Sequence, residues 1–332
     1  MTSDLLARSR AATYPCHRQF KLAGKHIRLA FASEALATKL FAAFGHLAEP
    51  AEGKADLTIH VWDSASIGGS APPPLPAFDG NQAWLMNGEQ ISAFSAAPGE
   101  QFYLLDLTTD TGYFWSASSN LPQPECGSPF IPILHWWLQE QGWMFIHAAA
   151  VGTPELGAAV VVGRGGRGKS STALSCLDSS LLYLSDDYCL ARSDGRLHTL
   201  YCSAKVGNAS LAHLPFLEPA RSPFTEPEWE KHLFFLDRAF KAQLAIELQA
   251  RCILLANVTR EVDTWAEPIR PALALTALAP STLLQLRFSR EADALLAGMR
   301  ALTESLPCFT LHLGTNRKQI PRVIERTLQQ CA

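Results

Sequence analysis

No CxxC pair occurs in this chain, and no cysteine and histidine fall at zinc-finger spacing. The eight cysteines, at 16, 126, 176, 189, 202, 252, 308 and 331, are scattered singly. Such cysteines read as small buried apolar residues in a reducing compartment, with a redox or metal role as the alternative. Charge of one sign is not in excess either. The 28 Lys and Arg against 31 Asp and Glu give a formal net charge of −3. That excludes a broadly basic nucleic-acid surface, though a local basic pocket remains compatible with it. Charged residues make up only 18% of the chain and hydrophobic ones 48%, a balance that excludes disorder over most of its length. Long apolar runs are missing too. The longest, 145–163, is interrupted by His147, Pro154 and Glu155 and does not read as a membrane span. The opening MTSDLLARSRAATYPCH has no apolar core of secretory-signal length, so a cytoplasmic location is expected. There is no internal repeat.

What is present suits two α/β domains in 332 residues. The first, residues 1–125, reads as β-rich with one helix. Residues 25–31 alternate as a half-buried strand does, and Ser33 or Glu34 opens a helical pattern through Leu36, Leu40, Phe41 and Phe44. Further strands are predicted at 56–62, 82–85, 90–94, 102–107 and 112–115, with a Gly- and Pro-rich loop at 68–76. The second domain, 126–332, opens with a predicted helix at 129–141. There Trp136 and Trp137, with the following Trp143, read as core residues in preference to an aromatic ligand box. Strands follow at 144–151 and 158–162, the latter an unbroken apolar run suited to a sheet buried on both faces.

Directly after that run stands Gly163-Arg164-Gly165-Gly166-Arg167-Gly168-Lys169-Ser170, which fits GxxxxGK[ST]. Glycines permit the backbone conformations that turn several N–H groups onto phosphate oxygens. The helix predicted at 169–177 adds its positive N-terminal dipole. In this pattern Gly163, Gly165, Gly166, Arg167, Gly168, Lys169, Ser170 and Ser171 form a nucleotide-phosphate cradle. Lys169 reaches the β- and γ-phosphates, and the Ser170 hydroxyl ligates Mg²⁺. Arg164 and Arg167 read equally well as phosphate-side charges and as solvated loop residues.

A short apolar run, 181–185, then ends in Asp186-Asp187. At a strand end beside a phosphate cradle, two carboxylates divide naturally between holding Mg²⁺ and taking a proton from an attacking hydroxyl. A pair so soon after the lysine suits transfer to an alcohol better than hydrolysis. His147, alone on its strand, reads first as a core residue. Lys205 is a candidate phosphate or substrate contact and Arg260 a candidate phosphate contact, and the segment 221–232 reads as a plain surface loop or as one able to close over a site or grip a peptide. Strands are expected to begin within 243–248 and 251–255. Paired helices are expected over 283–302 and an amphipathic closing helix over 319–328.

His147-Ala148, the loop ending in Lys169-Ser170, and Tyr183-Leu184-Ser185-Asp186-Asp187 together resemble the core of HPr kinase/phosphorylase-type kinases. These have a phosphoenolpyruvate-carboxykinase-like version of the P-loop fold. The wording around the aspartates is more similar to the branch that includes lasso-peptide tailoring kinases. The resemblance spans about 143–192, with a weaker tail at 278–328. It implies an HPr-kinase-like α/β core using ATP and Mg²⁺ to phosphorylate a serine of a ribosomally made precursor peptide or small protein. It further implies that Asp186 is the base and Asp187 a Mg²⁺ ligand, two roles open to exchange, and that His147 is a phosphate or carboxylate partner. The glutamate after the P-loop helix and the downstream glycine-rich signature of the bifunctional enzymes are absent, so neither HPr as substrate nor phosphorylase activity follows. The β-rich first domain is the candidate for substrate recognition. A small-molecule alcohol kinase and a nucleotide-binding regulator are the competing functions.

Overall fold

The structure is a computed structural model that describes residues 13–67, 84–88, 90–95, 100–224 and 229–331. The loop read at 68–76 lies outside these residues. No helix among them is long and apolar enough to cross a membrane. The chain forms two compact units, residues 1–141 with 288–290, and 142–287 with 291–332.

In the first unit, β1 (Cys16–Leu22), β2 (Lys25–Phe31), β3 (Ala48–Glu49), β4 (Leu57–Asp63), β5 (Trp84–Asn87), β6 (Ile91–Ser95), β7 (Gln101–Asp106) and β8 (Thr111–Ser116) form one mixed sheet. Its strand order is β3-β1-β2-β4-β8-β7-β6-β5. Helix α1 (Glu34–Phe41) starts where the sequence places it, with Ser33 accepting a hydrogen bond from the Leu36 N–H. Helix α2 (Ile131–Glu140) packs within this unit, although the sequence pattern groups it with the second. The reason is local. Ile133, Leu134, Trp136, Trp137 and Leu138 are all essentially inaccessible, and a Cβ at Gly112 of β8 would lie 2.7 Å from the Ile133 side chain. Glycine on the strand is what lets this helix settle so close. The tryptophans are core residues: Trp136 donates to the Phe288 carbonyl and Trp137 to Asp110, each at 2.8 Å.

The second unit is a mixed sheet with helices. Its strands are β9 (Met144–Ile146), β10 (Ala149–Thr153), β11 (Gly157–Val162), β12 (Leu182–Ser185), β13 (Cys189–Ala191), β14 (Arg196–His198), β15 (Ser203–Gly207), β16 (Lys231–Phe235), β17 (Glu247–Val258), β18 (Trp265–Ile269) and β19 (Cys308–Leu313). Two strand expectations change. The run 144–151 breaks at His147-Ala148, because β9 pairs with β13 whereas β10 pairs with β11 and β12. The two strands sought within 243–255 are one, β17, since no turn-forming residue separates them.

The central order is β12-β10-β11-β17, with β19 beside β17. β17 runs parallel to β11, and β19 parallel to β17. β10 is antiparallel to both its neighbours, so its beginning meets their ends: Ala149 lies opposite Val161, and Ala150 opposite Ser185. Val151 then faces Tyr183, which leaves Leu184 as an extra residue in β12, a β-bulge. Helix α3 (Lys169–Ser175) follows β11, and α4 (Pro271–Gln285), α5 (Ala292–Ser305) and α6 (Ile320–Gln330) follow β18 and β19. Leu174, Leu177, Ile320, Ile324 and Leu328 share one apolar cluster with Val161, Leu254 and Leu311 of the sheet. Strands β15 and β16 make a separate antiparallel pair.

Candidate active site

This topology brings three chain segments to one edge of the sheet: the loop leaving β11, the residues leaving β12, and the residue pair entering β10. The loop after Val162 turns on glycines in left-handed conformations, Gly166 at φ 76° and Gly168 at φ 95°. Beside Gly165 and Gly166 the space is open. Beside Gly168 it is not: a Cβ there would come within 2.6 Å of the Leu313 side chain. The cradle is thus closed beneath, against β19, and open above. Arg164 and Arg167 are exposed on it, and the Arg167 N–H donates to the Arg164 carbonyl at 3.3 Å.

Lys169 begins α3 and is buried, its Nζ donating to the Gly163 carbonyl at 2.7 Å. Burial lowers its pKa. Asp187 and Asp186 work against that shift, and Lys231 adds to it. Ser170, next along the helix, donates its hydroxyl to Asp186. Ser171 points elsewhere, its hydroxyl 3.5 Å from that of Ser210.

The two aspartates sit side by side in unlike surroundings. Asp186 is only 4% exposed. Burial and the neighbouring Asp187 charge push its pKa up to about 7, against the lowering effects of Lys205, Ser170 and Tyr183. The Asp187 side chain is 28% exposed and carries two partners, Lys205 Nζ at 2.7 Å and His147 Nε2 at 3.1 Å. Burial alone would raise its pKa, but the Lys205 ammonium and then His147 hold it well below the usual carboxylate range. His147 is fixed in turn by its backbone N–H, which donates to Thr282 of α4 at 3.0 Å. Its Nδ1 is buried and without a hydrogen-bond partner among the described residues. Ser185 ties the turn together, its hydroxyl donating to the Tyr188 carbonyl at 2.8 Å. The Tyr188 hydroxyl donates to Gln285 of α4.

Lys169, Ser170, Asp186, Asp187 and His147 therefore converge, and Lys205 joins them. Arg260 follows the end of β17, where the Val258 side chain would lie 3.3 Å from a Cβ at Gly168, and it is exposed there without an ion pair to any of these groups. Sequence reasoning missed Tyr188 and Thr282, and it gave no site role to Tyr183 or Lys231. The segment 221–232, read as a loop, has residues 225–228 outside the described ones, and Lys231 and His232 begin strand β16. The apolar, aromatic run Leu233-Phe234-Phe235 was the available signal for that strand. Nothing local indicated where it would lie.

No cluster of three or more His, Cys, Asp and Glu among the described residues could hold a metal ion unaided. Two carboxylates and a hydroxyl beside an open phosphate loop do fit Mg²⁺, which is usually held by one or two carboxylates together with substrate phosphates.

No family model matches the chain, and no curated protein matches it. Among solved structures, the HPr(Ser) kinase/phosphatase from Coxiella burnetii is similar over 56% of this chain and 94% of its own, at 10% identity and a TM-score of 0.27. A likeness at that level carries no argument about function.

Proposed function

We propose that the protein is a kinase that moves the γ-phosphoryl group of Mg·ATP to a serine hydroxyl of a peptide or small protein, with a ribosomally made precursor peptide of the lasso type as the favoured acceptor. The observation that carries this reading is the meeting of an open glycine loop, a buried lysine and a carboxylate pair at one sheet edge. The motif resemblance described above supports the choice of acceptor class, and the scattered single cysteines support a cytoplasmic setting.

In this reading the N–H groups of Gly165, Gly166 and Gly168 bind phosphate oxygens, and Lys169 exchanges the Gly163 carbonyl for phosphate. Ser170 and Asp187 would hold Mg²⁺, which would supply positive charge to the transferring phosphate. Asp186 takes the proton as the seryl oxygen forms its bond to phosphorus and the bond to the bridging oxygen of ADP breaks. Asp186 suits that role because it is the member of the pair whose proton occupancy changes near neutral pH, whereas Asp187 is already compensated by Lys205 and His147. His147 positions Asp187. The hydroxyl of Ser170 against Asp186 favours a second reading, with the two aspartates exchanged. Most of the rate would come from positioning and charge neutralisation.

Intact-mass spectrometry of serine-terminated precursor-type peptides incubated with the protein and Mg·ATP tests this. One added phosphate is expected with wild type, and transfer roughly a hundred- to a thousandfold slower with Lys169→Ala or Asp186→Asn, the scale of a lost transition-state contact. A raised Mg²⁺ requirement marks whichever of Asp186→Asn and Asp187→Asn has lost the metal ligand. Mg·ATP binding without transfer to any peptide would move the assignment to a small-molecule alcohol or to a nucleotide-sensing regulator. A chain that binds no nucleotide would overturn the reading.

A further inference from the structure

Strands β15 and β16 pair antiparallel, with Lys205 opposite Leu233 and Gly207 opposite Lys231. Residues directly opposite one another, and residues two apart on one strand, share a face of the pair. Lys205 and Lys231 are therefore diagonal neighbours on a single face. That face has a fixed direction, because Lys205 ends on Asp187 at 2.7 Å. Gly207, across from Lys231, has open space where a side chain would stand, which leaves Lys231 room to lean toward the carboxylates. Lys231 is exposed at the beginning of its strand, and its charge is felt at Lys169 on the far side of the site. Ammonium groups from three separate elements thus approach one another. Asp187 and Asp186 already answer Lys205 and Lys169, and a phosphoryl group seated above the glycine loop brings further negative charge within reach of all three.

We propose that Lys231 contacts the transferring γ-phosphoryl group, as a third ammonium alongside Lys169 and Lys205. This rests on the kinase reading and deepens it: the antiparallel pair of β15 and β16 becomes the wall that the phosphoryl group faces, opposite the glycine loop. The contact distinguishes ATP from ADP, because only ATP carries the γ group. Its contribution is electrostatic, so arginine preserves much of it and neutral residues do not.

The test is calorimetric binding of Mg·ATP and Mg·ADP to the full chain, for wild type, Lys231→Ala, Lys231→Gln and Lys231→Arg. Lys231→Gln keeps the methylene stem and covers the case in which the alanine variant fails to fold. The expected result is an Mg·ATP affinity weakened about tenfold or more in the neutral variants, the scale of a hydrogen bond to a charged group. Mg·ADP affinity should stay within about twofold, and Lys231→Arg should recover most of the loss. Equal effects on both nucleotides, or none on either, would overturn the assignment while leaving the kinase reading in place. Wild-type protein that binds neither nucleotide would take down both.

Discussion

Both units bury ionisable side chains, and they do so to opposite ends. In the first, the Glu125 carboxylate accepts from the Tyr103 hydroxyl and from the Phe130 N–H, and His135 sits fully enclosed with Nε2 3.0 Å from the Ser289 hydroxyl. Each of these groups is a single one, held by named partners. In the second, Asp186, Asp187, Lys169, Lys205 and His147 stand together at one sheet edge, with like charges adjacent and Asp187 still partly exposed. A polar group sealed singly in a core organises packing. Several of both signs gathered beside an open loop, with pKa values driven apart, are the usual mark of a site that works on a charged ligand.

The largest effect expected from this contrast is on stability in the first unit. Trp136 is wholly buried and donates its indole N–H to Phe288. Trp136→Ala should cost about 3–5 kcal/mol, read from the shift of the denaturant midpoint. A cost under about 1 kcal/mol would mean that this core is not close-packed.

The next comparison sets one glycine against another. Gly24 turns the β1–β2 hairpin at φ 82° with open space beside it, whereas Gly168 has the same sign of φ and the Leu313 side chain in its way. Gly24→Ala should cost about 1–2 kcal/mol of strain alone and leave Mg·ATP binding intact. Gly168→Ala should add crowding to the same strain and weaken Mg·ATP binding, both followed by calorimetry. Equal behaviour of the two variants would break the distinction between a structural turn and a ligand-shaped one.

The smallest effect at neutral pH is that of His135. Burial holds its pKa down at about 3 in the folded chain, against 6.5 for a free imidazole. Between those values protons favour the unfolded chain, so stability should fall as pH drops through 6.5, by up to about 1.4 kcal/mol per unit for this group. Denaturation series from pH 7 to 4.5 should show a shallower acid loss in His135→Phe than in wild type.

The candidate site was legible in the sequence to the extent that its parts are local. The loop from Gly163 to Ser170 carries its spacing and its glycines in eight consecutive residues, and Asp186-Asp187 ends a recognisable strand. His147 was weaker alone, because nothing near it in sequence says that its strand breaks there. Lys205 was visible as a residue but not as the partner of Asp187, and Lys231 was hidden in a segment read as loop. Both depend on the pairing of β15 with β16, whose strands are separated by more than twenty residues, and pairing at that range leaves no periodicity behind. Helix α2 shows the same limit at the level of fold. Its pattern announced a helix, while its place in the first unit was decided by the gap at Gly112 on a distant strand.

The extra residue in β12 has a consequence for how this site tolerates change. Side chains on a strand alternate in phase, and Leu184 resets that phase just before the two aspartates emerge. Losing one residue between Tyr183 and Asp186 would turn both carboxylates by half a pleat while leaving every chemical group present. Replacing one side chain removes one function; shifting the count removes the arrangement. The reading frame of this edge, in the sense of its residue count, is therefore as much a part of the site as the carboxylates it delivers.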